Sequence, residues 1–213
     1  MRTQQNGLKL CYVTSRSLSS TLRLIDTGYL PPPDYICASV GTVIYDVNAQ
    51  QEMQEYVYQS LEGWDPESVK KISCKGIVLQ EPAQQSPRKV SYYWDGKRAS
   101  LYSFEVSIRS VIGCRYIASS DCFIDVIPNR MGKAAAVVCL SRILDIPKSS
   151  ILCAGDTETD LEMCGVMGGF VLPQGISSRI RNIAIVMNSN IYEATRPYDQ
   201  GIVDGMQWFW RCV

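Results

Sequence analysis

Short apolar runs that alternate with helical patterns constrain the fold of this chain most strongly. The first run, Leu8–Thr14, is β-prone and ends in polar residues, and a later run, ILCAGD, ends at Asp156. Runs of this length and composition are typical of buried strands. A stripe of leucine and isoleucine follows the first run and stops at Gly28, as expected for a helix. Strands that alternate with helices predict an α/β fold.

The order of predicted helices and strands changes in the middle of the chain, and this change predicts an inserted lobe. Two helical stretches are followed by the strand GIVLQ, the alternating strand KVSYYW, a further helix and the strand CRYIAS. The alternation of strand and helix resumes at CFIDVIP and continues to the end of the chain. We therefore expect a core formed by residues 1–50 and 120–213, with an α/β lobe at 51–119.

The composition excludes several classes of function. The 21 basic and 21 acidic side chains balance without a basic patch, so neither nucleic acid nor an anionic membrane is expected as a partner. The chain contains no histidine, which excludes Ser-His-Asp and Cys-His nucleophile pairs. Its nine cysteines form no C-x-x-C pair and are interpreted as free thiols. Without a signal core or a long apolar run, a soluble cytoplasmic protein is expected.

A cluster of acids, Gly155-Asp-Thr-Glu-Thr-Asp160, directly follows the buried run ILCA. The carboxyl ends of strands are where α/β sheets bind ligands, and Asp156 and Asp160 are spaced to converge on one point there. Carboxylate oxygens together with substrate phosphate oxygens suit Mg²⁺. The alternative is that these acids cap a helix and interact with its dipole.

Two further motifs could bind phosphate. Lys133 opens a helical pattern, where a cation opposes the helix dipole unless a bound anion compensates it. The alternative for Lys133 is a solvated side chain. Thr14-Ser-Arg-Ser17 ends the first strand, and hydroxyls and amides at such a turn can bind phosphate. The alternative there is an ordinary serine N-cap.

Two other patterns carry competing interpretations. The segment Leu24-Ile-Asp26-Thr-Gly28 matches the short active-site pattern of aspartic proteases, but it lies on a predicted helix, and short motifs match by chance. Tyr92, Tyr93 and Trp94 form an aromatic cluster that predicts strand packing, with a sugar-stacking surface as the alternative.

Taken in order, these pieces resemble the sugar-phosphate phosphatases of the haloacid dehalogenase (HAD) superfamily, and most of all the sucrose-phosphatase branch. The resemblance runs from about Leu8 to Phe209. The segments that carry it are Thr14-Ser-Arg-Ser17, PDYICASVGTVIY, LQEPAQQSPRKVSYYW, FIDVIPNRMGKAAAV, GDTETDLEM and IYEATRPYDQGIVDGMQWF. Each motif is short, but six in the family's order are specific.

The resemblance implies a Rossmann-like core with an α/β cap inserted between the second and third motifs. It also implies Mg²⁺ and an aspartate nucleophile that forms an aspartyl-phosphate, which water then hydrolyses. By motif match, the expected site consists of the phosphate ligands Thr14 and Lys133, the metal-site carboxylates Asp156 and Asp160, and the substrate-binding residues Lys89, Gly41 and Thr42. The expected ligand is a small sugar phosphate.

The sequence departs from the family pattern at three places. The first motif, Asp-x-Asp-x-Thr, carries the nucleophile and the acid-base aspartate, and it occurs nowhere in the 213 residues. We therefore expect the core to lack its first strand. Val43 stands where the family usually has glutamate, and Glu158-Thr159 replaces Gly-Asn in the metal loop.

Two functional interpretations follow from these departures. The first is a phosphatase of the sucrose-phosphatase type, represented by a fragment or by a start codon placed too far downstream. The second is a catalytically inactive module that binds sugar phosphates or regulates another protein. The sugar stays open between sucrose 6-phosphate, mannosylfructose phosphate and related compounds.

Overall fold

A computed structural model describes residues 7–58 and 61–211, apart from the side chain of Tyr198. The described residues form two compact units, and the boundary between them falls after Ala136. In the described ranges, no helix combines the length and the apolar character that crossing a bilayer requires.

The first unit begins with a small mixed sheet. Its strands, in the spatial order β1-β2-β3-β4, are β1 (Cys11–Val13), β2 (Tyr35–Ala38), β3 (Val43–Asp46) and β4 (Gln51–Glu52). The strands β1 and β2 are parallel and are joined by helix α1 (Leu18–Asp26), whereas the two later pairs are antiparallel. The Ser17 hydroxyl accepts a hydrogen bond from the Ser20 N–H at 3.2 Å and caps α1, as the N-cap interpretation predicts. Asp26 ends this helix, which removes the β-loop that an aspartic-protease site needs.

The second sheet of this unit belongs to the lobe. Its strands, in the spatial order β5-β6-β8-β7, are β5 (Ile77–Leu79), β6 (Val90–Trp94), β7 (Cys114–Ser119) and β8 (Phe123–Pro128). Helices α3 (Pro66–Lys70) and α4 (Arg98–Ile108) contact this sheet, whereas α2 (Gln54–Tyr58) contacts β3 of the first sheet. Alternate strand residues such as Tyr92 and Ile124 pack with Phe104 of α4 in a buried core. Their neighbours Ser91 and Asp125 therefore lie on the opposite face of the sheet.

The pairing of β8 bears on the predicted limits of the lobe. The sequence pattern grouped CFIDVIP with the core, yet β8 pairs with β6 and with β7 in the lobe sheet. The predicted boundary between residues 119 and 120 falls in the hairpin that joins β7 and β8. The division of the chain into a core at 1–50 and 120–213 and a cap at 51–119 stays a prediction.

The second unit contains a parallel sheet. Helix α5 (Lys133–Ile143) leads into this unit, whose strands, in the order β11-β10-β9, are β9 (Leu152–Ala154), β10 (Gly169–Leu172) and β11 (Ile191–Glu193). The remaining helices are α6 (Leu161–Cys164), α7 (Ser178–Met187) and α8 (Tyr198–Arg211). Phe209 of α8 and Phe170 of β10 are fully buried. The alternation of strand and helix that the sequence predicts is therefore present here.

The lobe core provides a test of the packing. Phe104 is fully buried, with edge contacts to the rings of Tyr92 at 5.3 Å and Tyr116 at 6.0 Å. Phe104→Ala should lower the free energy of unfolding by about 3–5 kcal/mol, because it leaves a cavity. Phe123→Ala makes the same chemical change at a side chain that is 40% exposed, and should cost under about 1 kcal/mol. Urea denaturation measures both, and equal losses would contradict this description of the core.

Candidate functional site

A left-handed backbone segment follows β2 in the first unit. Ser39, Val40 and Gly41 have φ values of 51°, 60° and 76°, and all three residues are buried. Each non-glycine residue in this conformation costs about 1–2 kcal/mol, so neighbouring contacts must compensate. The Val40 N–H donates to the Thr14 carbonyl oxygen at 3.0 Å, and the Ser39 N–H donates to the Arg16 carbonyl oxygen at 2.7 Å. These bonds join the left-handed segment to the turn after β1.

Thr14, a predicted phosphate ligand, lies in that turn. Its backbone N–H donates to the Cys37 carbonyl oxygen of β2 at 2.9 Å, which fixes the end of β1. The Thr14 hydroxyl oxygen accepts a hydrogen bond from the Arg16 N–H at 3.2 Å, and the side chain is half-buried. The hydroxyl is thereby oriented at the carboxyl end of a parallel strand.

Gly41 brings the same segment against the start of α5. A Cβ atom at Gly41 would lie 2.5 Å from the carbonyl carbon and oxygen of Gly132 and 2.7 Å from the Lys133 nitrogen. Only glycine permits this approach, and its φ of 76° is also one that glycine adopts freely. Lys133 is the first residue of α5 and is 4% exposed. The predicted residues Thr14, Gly41 and Lys133 therefore belong to one set of connected turns.

The predicted sugar ligands Thr42 and Lys89 make their polar contacts within the protein. The buried Thr42 hydroxyl donates to the Ser39 carbonyl oxygen at 2.9 Å. Lys89 is 7% exposed, and its ammonium group donates to the Ser91 hydroxyl at 2.8 Å and to Asp125 Oδ1 at 3.2 Å. The Ser91 hydroxyl also donates to Asp125 Oδ1, at 2.6 Å. These contacts fix both side chains, and their role as sugar ligands stays a prediction.

Three residues of the lobe that the motif analysis did not assign to the site contact these turns. The Tyr56 hydroxyl donates to the Gly41 carbonyl oxygen at 2.7 Å and accepts from the Gly132 N–H at 3.4 Å. Arg88 Nε donates to the Thr42 carbonyl oxygen at 3.0 Å, and its guanidinium forms an ion pair with Glu52.

The third residue, Arg115, donates from Nε and from one terminal nitrogen to the Met131 carbonyl oxygen, at 3.2 Å and 2.8 Å. All three side chains contact backbone carbonyl groups of residues distant in the chain. A backbone contact of this kind leaves no motif in the sequence. The charge of Arg115 within a strand pattern was the available signal, because a charge at such a position needs a partner.

In the second unit, the acidic loop after β9 is organised by Asp160. The buried carboxylate oxygen Oδ2 accepts hydrogen bonds from the Asp156 N–H at 3.2 Å, the Thr157 N–H at 3.1 Å and the Thr157 hydroxyl at 2.7 Å. A Cβ atom at Gly155 would lie 2.2 Å from the Asp160 Cβ, so glycine is required beside it. Asp160 thus shapes the loop, whereas Asp156 is exposed at the end of the strand.

The replacement of Gly-Asn by Glu158-Thr159 has a structural consequence in this loop. The Thr157 hydroxyl donates its proton to Asp160, so it accepts from the Thr159 hydroxyl across the 2.9 Å that separates the two oxygens. Thr159 is buried and Glu158 is exposed. The departure from the family pattern therefore adds a hydroxyl to the network and a charge to the surface.

The donor chemistry of this loop fits Mg²⁺. Oxygen ligands are those that Mg²⁺ prefers, and the ion commonly uses one or two carboxylates together with water and substrate oxygens. Asp156 supplies an exposed carboxylate, with Asp160 supporting the loop behind it. Within residues 7–58 and 61–211, no group of three or more acidic or cysteine side chains forms a metal cage, so an ion here would depend on water and substrate for its other ligands.

Solved structures share this fold. The sucrose-phosphatase from Synechocystis sp. PCC6803, solved in complex with sucrose and phosphate, superposes with a TM-score of 0.85 at 23% identity, covering 97% of this chain and 86% of that protein. The protein therefore has the α/β fold of the HAD sugar phosphatases. The fold class predicted from the sequence is confirmed, whereas the expected lack of a first strand stays a prediction.

The family follows from the sequence comparison. Residues 1–210 match the model of the sucrose-6F-phosphate phosphohydrolase family, and the chain belongs to this family. It is 27% identical over 209 residues to the mannosylfructose-phosphate phosphatase of Agrobacterium fabrum, covering 93% of this chain and 82% of that protein.

A second relative is much longer than this chain. The glucosylglycerol-phosphate synthase of Pseudomonas anguilliseptica is 25% identical over 192 residues, which are 90% of this chain but only 24% of the synthase. These comparisons confirm the predicted resemblance to the sucrose-phosphatase branch. The individual roles of the predicted site residues stay predictions.

The approach of Gly41 to α5 can be tested against a second left-handed glycine. Gly28 has a φ of 77°, close to the 76° of Gly41, but a Cβ atom there would meet nothing within 4 Å. Gly28→Ala should therefore cost only the backbone strain, about 1 kcal/mol. Gly41→Ala should cost about 1–3 kcal/mol more, because the backbone at Gly132 must move. Urea denaturation compares the two variants, and equal destabilisation would show that the close contact does not exist.

Proposed function

We propose that this chain serves the Mg²⁺-dependent hydrolysis of a sugar phosphate related to sucrose 6-phosphate. The observation that carries the proposal is the burial of Lys133 at the start of α5, in contact with the left-handed segment at Gly41. A lysine at the positive end of a helix dipole is favoured when an anionic ligand lies beside it. Membership of a phosphohydrolase family makes a phosphate group the natural anion.

The remaining predicted residues would each take the role that the family motif implies. Thr14 would donate its hydroxyl proton to a phosphate oxygen while its oxygen accepts from the Arg16 N–H. Asp156 would bind Mg²⁺, which neutralises phosphate charge when it is bound, and Asp160 would fix the shape of the metal loop. Gly41, Thr42 and Lys89 would lie towards the sugar.

The absence of Asp-x-Asp-x-Thr from the 213 residues defines what this chain can do alone. In the family reaction an aspartate attacks phosphorus, and without it the chain has no group to form the aspartyl-phosphate. We therefore infer that these residues bind the sugar phosphate and hydrolyse it very slowly. The same absence favours a second candidate function, a catalytically inactive module that binds sugar phosphates.

The state of the cysteines supports a reducing location for this activity. None of the eight cysteines within the described residues forms a disulfide, and four of them are buried. Free thiols persist where glutathione and thioredoxin keep them reduced, which is the case in the cytoplasm. We propose that the chain acts there.

A hydrolysis assay distinguishes the two candidate functions. With sucrose 6-phosphate and Mg²⁺, the 213-residue chain should release phosphate at least about 1,000-fold more slowly than a chain extended by a segment that carries Asp-x-Asp-x-Thr. The control is the extended chain with both motif aspartates changed to asparagine. Rapid turnover by the short chain would contradict the inferred loss of the nucleophile. A silent extended chain would favour the inactive binding module.

The metal assignment is tested by two substitutions in one loop, each of which removes one negative charge with little change in side-chain shape. Asp156→Asn should weaken Mg²⁺ binding by about tenfold or more, which corresponds to roughly 1.4 kcal/mol, because it removes a direct carboxylate ligand. Glu158→Gln removes an equal charge from the same loop at another exposed position, and should change the affinity by less than about threefold. Calorimetric titration with Mg²⁺ measures both. Equal effects would mean that the loop attracts the ion only by its net charge.

A further inference from the structure

The turn that precedes Lys133 is anchored by side chains of the lobe. Gly132 has a φ of 143°, and its carbonyl oxygen accepts from the Ala136 N–H at 2.9 Å in the first turn of α5. Immediately before it, the Met131 carbonyl oxygen accepts two hydrogen bonds from Arg115 of β7. The turn that leads into α5, and with it the backbone of Lys133, is therefore held by a side chain outside the helix.

Tyr56 connects this turn to the left-handed segment. A phenol has one proton, and the shorter bond, 2.7 Å to the Gly41 carbonyl oxygen, uses it. The phenol oxygen is then the acceptor for the Gly132 N–H at 3.4 Å. Tyr56 is buried, so breaking these hydrogen bonds costs free energy, because water does not readily replace them. One side chain from α2 thus spans the two segments that carry Gly41 and Lys133.

Arg88, from another part of the lobe, contacts Thr42, the residue that follows the left-handed segment. Its Nε donates to the Thr42 carbonyl oxygen at 3.0 Å, one residue beyond the carbonyl that Tyr56 contacts. The ion pair between Arg88 and Glu52 fixes the guanidinium in place. The Gly41–Thr42 segment is therefore bonded to Tyr56 and Arg88, and the Met131–Gly132 turn is bonded to Tyr56 and Arg115. Tyr56 is the residue that contacts both.

We propose that Tyr56 is a positioning residue that holds the Lys133 turn at a fixed distance from the Gly41–Thr42 segment, and so determines how tightly the phosphate of a sugar phosphate is bound. This inference rests on the proposed function, in which Lys133 binds that phosphate. Tyr56 would act through its hydrogen bond with the Gly132 amide. Loss of the hydroxyl leaves the ring packed but allows the turn to move, and the ammonium loses its fixed position.

The variant Tyr56→Phe removes only the bridging oxygen. It should weaken the binding of sucrose 6-phosphate about fivefold to tenfold, the effect expected when one hydrogen bond stops positioning a binding group. Tyr92→Phe is the matched control, because the Tyr92 hydroxyl is equally buried in the lobe and donates to the Val69 carbonyl oxygen at 2.6 Å. Both variants should lower the melting temperature, but Tyr92→Phe should leave the affinity within about twofold. Equal losses of affinity would overturn the proposal.

A double-mutant cycle tests whether Tyr56 acts through Lys133. Lys133→Met removes the ammonium, and adding Tyr56→Phe to it should weaken binding no further. If Tyr56→Phe weakens binding as much in the Lys133→Met background as in the unsubstituted chain, the proposal is overturned. Such a result would mean that Tyr56 affects binding independently of the lysine, for example through general stability. The affinities of all four proteins are measured by calorimetry with sucrose 6-phosphate in the presence of Mg²⁺.

Amide hydrogen exchange separates this inference from the proposed function. Tyr56→Phe should accelerate exchange at the Gly132 amide about tenfold, and Tyr92→Phe should not. If the unsubstituted chain binds no sugar phosphate, the proposed function fails, while the Gly132 amide still reports whether Tyr56 anchors the turn. Unchanged exchange at Gly132 in Tyr56→Phe would overturn the anchoring itself.

Discussion

The candidate site depends on the close approach of the Gly41 backbone to the start of α5. A side chain at Gly41 would overlap the Gly132 carbonyl group, so glycine is required where the two backbones approach each other. The residues before Gly41 are left-handed and bonded to the turn at Thr14, which carries the constraint back to the end of β1. The turn at Thr14 and the turn before Lys133 are therefore related by backbone contacts, and the Tyr56 hydroxyl bridges the Gly41 and Gly132 backbones at this point.

Hydrogen bonds to backbone groups fix the turns at Gly41 and Gly132 and also the loop after β9. Around Gly41 and Gly132, the turns are fixed by Tyr56, Arg88 and Arg115, all of which come from the lobe. In the acidic loop after β9, the Asp160 carboxylate accepts hydrogen bonds from two nearby amides and a hydroxyl. Side chains of residues 51–119 thus contact the backbone of the turns at Gly41 and Gly132.

Much of the fold could be predicted because it follows from local patterns. The apolar run at ILCA became a strand and the serine at position 17 became a helix cap, since both depend on neighbours in sequence. The placement of β8 could not be predicted, because strand pairing depends on contacts far along the chain. The role of Tyr56 was equally hidden, since its partners Gly41 and Gly132 lie far from it and offer only backbone atoms.

The most direct measurement is a crystal structure of the chain with sucrose 6-phosphate and Mg²⁺. We expect phosphate oxygens within hydrogen-bonding distance, about 2.7–3.2 Å, of the Lys133 ammonium and the Thr14 hydroxyl, with the turn at Gly132 unmoved. The Tyr56 hydroxyl should still join Gly41 to Gly132 in the complex. A phosphate bound elsewhere, with Lys133 making no contact to it, would contradict the assignment of the site.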